Sequence, residues 1–373
     1  MSSLEGINWV RLSFVDVFGV GHSMQIPASR FDGAVKEGEP FDGSALEGRA
    51  RLLETDMRLQ PDPSTLVEIG DGLARAVCNV LTFDGRRWPG DPRTALVSVV
   101  EDLGELAQEY TSSYGVDVDA CHHEAGPGQY EIDLAAIGPI ALADAIVLTK
   151  QVIREVAADA RMRATFMPRP FADEPGSGLH FLQRVSGRFF AEDGSLDQMG
   201  RSFVAGQLVH ARALSALAAP TVNSYKRLHS GAEAPSAAVW AHVNRGALIR
   251  VSSYMGRDAS IEFRGADPSA NPHLLLAGML VAGADGIERE MALAPAVEED
   301  LGGFDPAGSD SVRFDALPRD LDDALDALLS DDVMVDAFDR QLLSRLIDGR
   351  RAEAAAYRNQ VTGWEIERYL DEA

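Results

Sequence analysis

The sequence predicts an α+β chain built from two units, and three observations carry this. Period-two alternation broken by Gly, Pro and Asp turns dominates roughly the first 90 residues. Helical spacing takes over after Pro92, with strand-like stretches interleaved. Acidic, Leu-rich amphipathic stretches then fill Leu317 to Leu370. The division falls at residues 1–91 and 92–373.

Taken in order, Val10, Leu12 and Phe14 alternate with Arg11 and Ser13. Asp16 to Gly21 supplies a turn and Ser23 to Ile26 resumes, so Trp9 to Ile26 reads as a β-hairpin. Phe41-Asp42-Gly43-Ser44 and Pro61-Asp62-Pro63-Ser64 read as polar turns, and Ala76 to Phe83 as a strand. Leu96 to Tyr110 has helical spacing. Val116 to Cys121 and Gln129 to Leu134 read as strands around His122-His123-Glu124. Ala143 to Ala160 is an amphipathic helix with Ile146, Val147, Ile153 and Val156 on a common side. Asn271-Pro272 opens another helix, Asn as cap and Pro in the first turn. Gly302 to Ser311 is expected to be a surface loop.

Composition excludes some partners. The chain has 34 basic and 58 acidic residues, a formal net charge of −24, which argues against nucleic acid or an anionic membrane as the main partner. No apolar run approaches bilayer-spanning length, and the start Met1-Ser2-Ser3-Leu4-Glu5-Gly6 is unlike a signal peptide. Cys78 and Cys121 lack metal-type spacing and read as reduced, buried thiols of a cytoplasmic protein.

Three constellations can carry chemistry. Glu124 and Glu131 flank a Gly/Pro turn, so adjacent strands can aim both carboxylates into one space, as Mg²⁺ or Mn²⁺ requires. An ordinary hairpin with exposed glutamates is the alternative. His180 follows Gly176-Ser177-Gly178-Leu179 at a loop-to-strand junction, where it can reach a metal or substrate or serve as a bonded core histidine. Arg227, Arg245, Arg250 and Arg264 cluster among residues that read as turn and strand. Their planar donor forks suit carboxylate or phosphate, and Glu262 shares a strand face with Arg264. Glu233 sits in a Gly/Ala/Pro loop suited to a mobile gate or acid–base group.

These segments, in this order, resemble the glutamine synthetase family over nearly the whole chain. The resemblance runs from Phe41-Asp42-Gly43-Ser44 and Thr55-Asp56-Met57 through His123-Glu124 to Glu131 and Gly176 to His180. It continues through Asn223 to Pro235, Asn244 to Arg250, Glu262 to Leu275 and Val361 to Glu365. It implies a β-grasp N-terminal domain and a catalytic domain whose curved antiparallel sheet forms a funnel. It implies sites shared between subunits of a homo-oligomeric ring, a hexamer or stacked dodecamer. The reaction implied is phosphorylation of a glutamate γ-carboxylate by ATP, then displacement of phosphate by ammonia or an amine, assisted by Mg²⁺ or Mn²⁺. By the same resemblance Glu124 and Glu131 hold one metal, and His180 and Glu262 belong to a second. Arg227, Arg245, Arg250 and Arg264 bind substrate carboxylate and phosphate, with the Gly176 and Gly178 backbone beside them. Glu233 closes the site, and Asp42 from a neighbouring subunit helps bind the amine.

Departures from the family pattern are concentrated. Its Glu-x-Glu strand and the hairpin after it are absent, because Pro92-Arg93 is followed almost at once by the Leu96 helix. One carboxylate of each metal site goes with them. Leu182, Arg184, Pro175, Ser260 and Ala136 stand where the family shows His, Ser, Asn, Arg and an aromatic. The glutamate-facing arginines are kept and the ATP-facing side is altered. Three readings follow: a γ-glutamyl ligase with replacement nucleotide contacts, a metal-dependent enzyme on a γ-glutamyl-like substrate without ATP, or a non-catalytic pseudoenzyme.

Overall fold

The computed structural model describes residues 4–43, 46, 56–103, 110–185, 189–229, 234–252, 259–299 and 314–371. The N-terminal unit contains β1 (Trp9–Val15), β2 (Gly21–Pro27), α1 (Phe31–Glu37), β3 (Glu39–Asp42), β4 (Asp56–Pro61), β5 (Val67–Gly70) and β6 (Leu73–Thr82). The sheet order is β2-β1-β6-β4-β3, with β5 also on β6, and β1 lies parallel to β6. Alternation decides which face is buried: Val10, Leu12, Leu59 and Val80 pack with Ile26 and Phe31 in one core. The expected hairpin is present, and buried Asp16 closes its turn by accepting from Phe18 and Val20 N–H.

Phe41 and Asp42 belong to strand β3 rather than to a turn. Phe41 lies in register with Met57 and packs on Phe14 at 5.2 Å between ring centroids, so a partner strand overrides local turn preference. Ser44 and Thr55 lie outside the described residues. The second polar turn is present: Asp62 caps a single 3₁₀ turn by accepting from Ser64 N–H.

The second unit runs α2 (Pro92–Leu103), β7 (Tyr110–His123), β8 (Tyr130–Ile137), α3 (Pro139–Asp159) and β9 (Phe181–Val185). It continues α4 (Gln198–Val209), α5 (Ala211–Ala218), α6 (Val222–Leu228), β10 (Trp240–Ala241), β11 (Ile249–Ser252), β12 (Ser260–Phe263) and α7 (Pro272–Glu288). The chain ends with α8 (Leu321–Leu329), α9 (Asp332–Asp336), α10 (Arg340–Arg358) and α11 (Gly363–Tyr369). The sheet order is β10-β11-β12-β9-β7-β8, antiparallel except for the β10–β11 pair. Phe181, Ile261 and Phe263 point from it into a core shared with Phe203 of α4 and Leu276 of α7. Each such apolar side chain contributes about 1.5–3 kcal/mol on full burial. The other face of the sheet is polar.

Several expectations are corrected. Tyr110 opens β7 instead of ending a helix, and the described part of that helix stops at Leu103. Asn223 to Leu228 forms helix α6 rather than turn and strand, because Thr221 and Ser224 cap each other's backbone in a capping box. Val156 is 61% exposed: the first half of α3 is buried and the second half leaves the core. Cys78 is buried, but Cys121 is exposed. Asn271 caps α7 as expected, and its Nδ2 also donates to Asp16 O at 3.0 Å, tying the two units together. Buried Arg93 reinforces that junction by donating to Asp62 and Asp144. Gly302 to Ser311 lies outside the described residues.

Candidate active site

The polar face of the second sheet gathers the residues singled out by sequence. Strand register sets their order. Arg250 pairs with Glu262, Glu262 with Leu182, and Phe263 with Phe181. His180, one step before β9, therefore stands beside Arg264, one step after β12. Two strands along, His122 pairs with Glu131 at the β7–β8 edge. Basic groups thus occupy the β11–β12 side and carboxylates the β8 side.

On the basic side, Glu262 is buried and held by two guanidinium groups. Arg264 Nη1 donates to Glu262 Oε1 at 2.7 Å. Arg250 Nε lies 2.7 Å from Glu262 Oε2, close enough for an ion pair but out of line for a hydrogen bond, which leaves both atoms without one. His180 Nδ1 is 3.4 Å from Glu262 Oε1. Burial, and then the charges of Arg264, Arg227 and Arg250, hold the His180 imidazole well below its ordinary pKa, so it is neutral at physiological pH. Arg264 also donates from Nε to Arg245 O at 3.0 Å, which fixes the exposed Arg245 beside the same site.

Arg227 is fully buried, and its amino groups donate to the carbonyls of Arg264 and Ala266, each at 3.0 Å. Burial lowers its pKa to about 10, which still leaves it charged at neutral pH. It works as a strut holding the turn after β12 against the Gly176–Gly178 loop. The glycines are required by that closeness. A Cβ at Gly178 would stand 2.7 Å from His180 Nε2 and 2.9 Å from Arg227 Nη2, and one at Gly176 would stand 2.6 Å from Pro168 O. Gln129, in the β7–β8 turn, donates to Gly176 O and Ser177 Oγ, each at 3.1 Å, pinning the carboxylate hairpin to this loop.

On the acidic side, Glu131 is in contact with Glu124 and its pKa is pushed up to about 7. Burial is the largest cause, followed by the bond to Glu124 and the charges of Asp133 and Glu124, with His122 opposing. Carboxylates that must share protons are the donor set that suits a divalent cation, so these residues fit Mg²⁺ or Mn²⁺. Asp133 and His122 stand with them, although sequence reading had not nominated either as a ligand. The available signal was periodicity: residues 131 and 133 share a strand face, and the hairpin sets residue 122 across from them. Glu262 and His180 are differently placed, because a cation there would compete with guanidinium groups already on both carboxylate oxygens.

One expected participant lies elsewhere. Asp42 is exposed at the end of β3, on the N-terminal sheet. Glu233 lies outside the described residues. Leu182 and Arg184 follow His180 on β9 and share its face, with Leu182 directly opposite Glu262.

Two domain families match the chain: the glutamine synthetase β-grasp domain over residues 6–82 and the glutamine synthetase catalytic domain over residues 86–369. A glutamine synthetase of Halobacterium salinarum is 36% identical over 432 residues, covering 98% of this chain and 94% of that protein. One from Pyrococcus abyssi is 34% identical over 424 residues, covering 97% of this chain and 96% of that protein. The first alignment spans 432 residues where this chain has 373, so at least 59 aligned positions have no counterpart here, in keeping with an absent strand and hairpin. Among solved structures, one titled "GmaS/ADP complex-Conformation 1" superposes with a TM-score of 0.88 at 26% identity, covering 100% of both chains. A glutamine synthetase of Plasmodium falciparum shares the fold, with a TM-score of 0.86 at 20% identity over 98% of this chain and 96% of that one.

Proposed function

This chain belongs to the glutamine synthetase family, and on that premise we propose that it is a carbon–nitrogen ligase acting on a glutamate-like γ-carboxylate. In the proposed reaction a γ-carboxylate oxygen attacks the terminal phosphorus of ATP and ADP leaves. Ammonia or a small amine then attacks the acyl carbon and expels phosphate, giving the γ-amide and losing one proton from nitrogen. The observation that carries this reading is the row of Arg245, Arg250 and Arg264 beside neutral His180, facing a carboxylate hairpin across one sheet. The arginines suit an anionic substrate and the phosphate, and Arg227 positions the turn that carries Arg264. A divalent cation at the hairpin would supply charge neutralisation to phosphate oxygens. Glu233 is assigned to gating the site and deprotonating the amine. Asp42 is assigned to amine binding in a neighbouring subunit's site, which makes the working form a homo-oligomeric ring.

One observation favours a second reading. Leu182, opposite Glu262, is an apolar side chain on the face where the nucleotide would lie, and Ser260 on β12 stands where the family shows arginine. It fits a metal-dependent enzyme that acts on a γ-glutamyl-like amide without ATP. A coupled assay of ADP release separates the two. The ligase produces ADP only when glutamate or an analogue and an amine are both present. Turnover of a γ-glutamyl amide without nucleotide, and no ADP with any amine tested, would establish the second reading instead.

A further inference from the structure

We infer that Arg184 on β9 supplies to the polar face a guanidinium that the family supplies from β12, and that it binds a polyphosphate chain there. The identity of that ligand as a nucleotide rests on the ligase reading. Two departures from the family pattern carry the assignment, because they are reciprocal. At position 184 this chain has arginine where the family shows serine, and at position 260 it has serine where the family shows arginine. The two positions are far apart in sequence but adjacent in the sheet. β9 and β12 are antiparallel neighbours, with Glu262 opposite Leu182 and Ile261 opposite Gln183. The same register carried one step further sets Ser260 opposite Arg184, and both residues lie within their strands.

Side-chain direction agrees with the exchange. Phe181, Gln183 and Val185 alternate into the buried interior, so Leu182 and half-buried Arg184 stand on the polar face. On β12, Ile261 and Phe263 point into the core, and Ser260 shares the polar face with Glu262. Ser260 Oγ lies 3.1 Å from Oγ of Ser252, its partner on β11. Residues directly opposite on antiparallel strands have Cβ atoms about 4.5–5.5 Å apart, which is within the reach of an arginine side chain. A guanidinium can therefore fill the same space from either strand, provided the facing residue is small. Arginine at both positions would set like charges directly opposite each other. One arginine facing one serine keeps both charge and volume. The exchange also continues a row. Arg264, Arg250 and Arg184 stand at three successive same-face levels of the sheet, about 7 Å apart along the strands. Glu262 has one oxygen facing each of the first two. Guanidinium forks repeated at that interval suit a chain of phosphates better than a single carboxylate.

Calorimetric titration of the full-length protein, with Mg²⁺ present, tests this with two probes: inorganic tripolyphosphate and a non-hydrolysable ATP analogue. Arg184→Ser is expected to weaken both by about tenfold to a hundredfold. The exchange variant, Arg184→Ser combined with Ser260→Arg, is expected to recover most of that loss, which a merely structural role for Arg184 would not produce. A circular dichroism melt checks that each variant is folded. If the exchange variant does not fold, Arg184→Gln decides, because it keeps a long polar side chain without the charge: a loss of about tenfold or more upholds the assignment, and wild-type affinity overturns it. Unchanged affinity in Arg184→Ser, no recovery in a folded exchange variant, or no binding of either probe by the wild type would each overturn it as well. Binding of both probes through Arg184, with no ADP released in the presence of glutamate and any amine tested, would leave the assignment standing and sink the ligase reading alone.

Discussion

Arg264 and Glu262 stand two residues apart at the end of β12, and Arg264 Nη1 donates to Glu262 Oε1 at 2.7 Å. With Arg250 on the other carboxylate oxygen, Glu262 is the counter-charge that allows guanidinium groups to gather on the sheet's polar face. Breaking such a buried group on one side leaves uncompensated charge in a low-dielectric setting. Glu262→Gln is therefore expected to cost about 3 kcal/mol of folding stability as well as activity. Urea unfolding of the variant checks this, and an unchanged midpoint would show that solvent, not Glu262, neutralises the arginines.

The two glycines before His180 are expected to fail in different ways. A methyl group at Gly178 meets the ends of two side chains, His180 and Arg227, whereas one at Gly176 meets the Pro168 carbonyl. Gly178→Ala should lose activity with little loss of stability, because the side chains can move. Gly176→Ala should lower stability by about 1–3 kcal/mol, because backbone must move. Parallel melting and activity measurements on the pair check the split.

His210 is expected to make stability depend on pH. Its Nδ1 lies 2.6 Å from Asp331 and its Nε2 3.0 Å from Asp285, joining the α4–α5 junction to α7 and the start of α9. Burial disfavours the charged ring, but the bonds to both aspartates prevail and its pKa is raised above 6.5. Arg289, 3.0 Å from Asp285, shares that carboxylate and limits the effect. A raised folded-state value means the stabilisation is complete below about pH 6.5 and is lost as pH climbs through the higher value. The melting temperature of the wild type should fall across that window more steeply than that of His210→Gln. Parallel curves would contradict this.

Much of the fold was legible because it is locally encoded. The Trp9 to Ile26 hairpin follows from alternation around Asp16, and α7 from the Asn271-Pro272 cap. The shared face of Glu262 and Arg264 follows from strand period alone. What was misread depended on partners or on weak local signals. Phe41 and Asp42 become strand only because β4 lies alongside, and α6 is set by a Thr221–Ser224 box inside a segment that otherwise reads as turn. The closeness of Asp133 and His122 to Glu131 appears only once β7 and β8 are paired. The neighbourhood of Arg250, Glu262, His180 and Glu131 depends on the strand order β11-β12-β9-β7-β8, which no single window of sequence contains.

The central claim is that a glutamate-like γ-carboxylate is activated as an acyl phosphate, and the most direct measurement follows its oxygen. Glutamate labelled with ¹⁸O in the γ-carboxylate is incubated with ATP, Mn²⁺ and an amine, and the released phosphate is analysed by mass spectrometry. The account predicts one ¹⁸O atom in phosphate for each amide formed. Amide formed with unlabelled phosphate, or with no ADP, would contradict it.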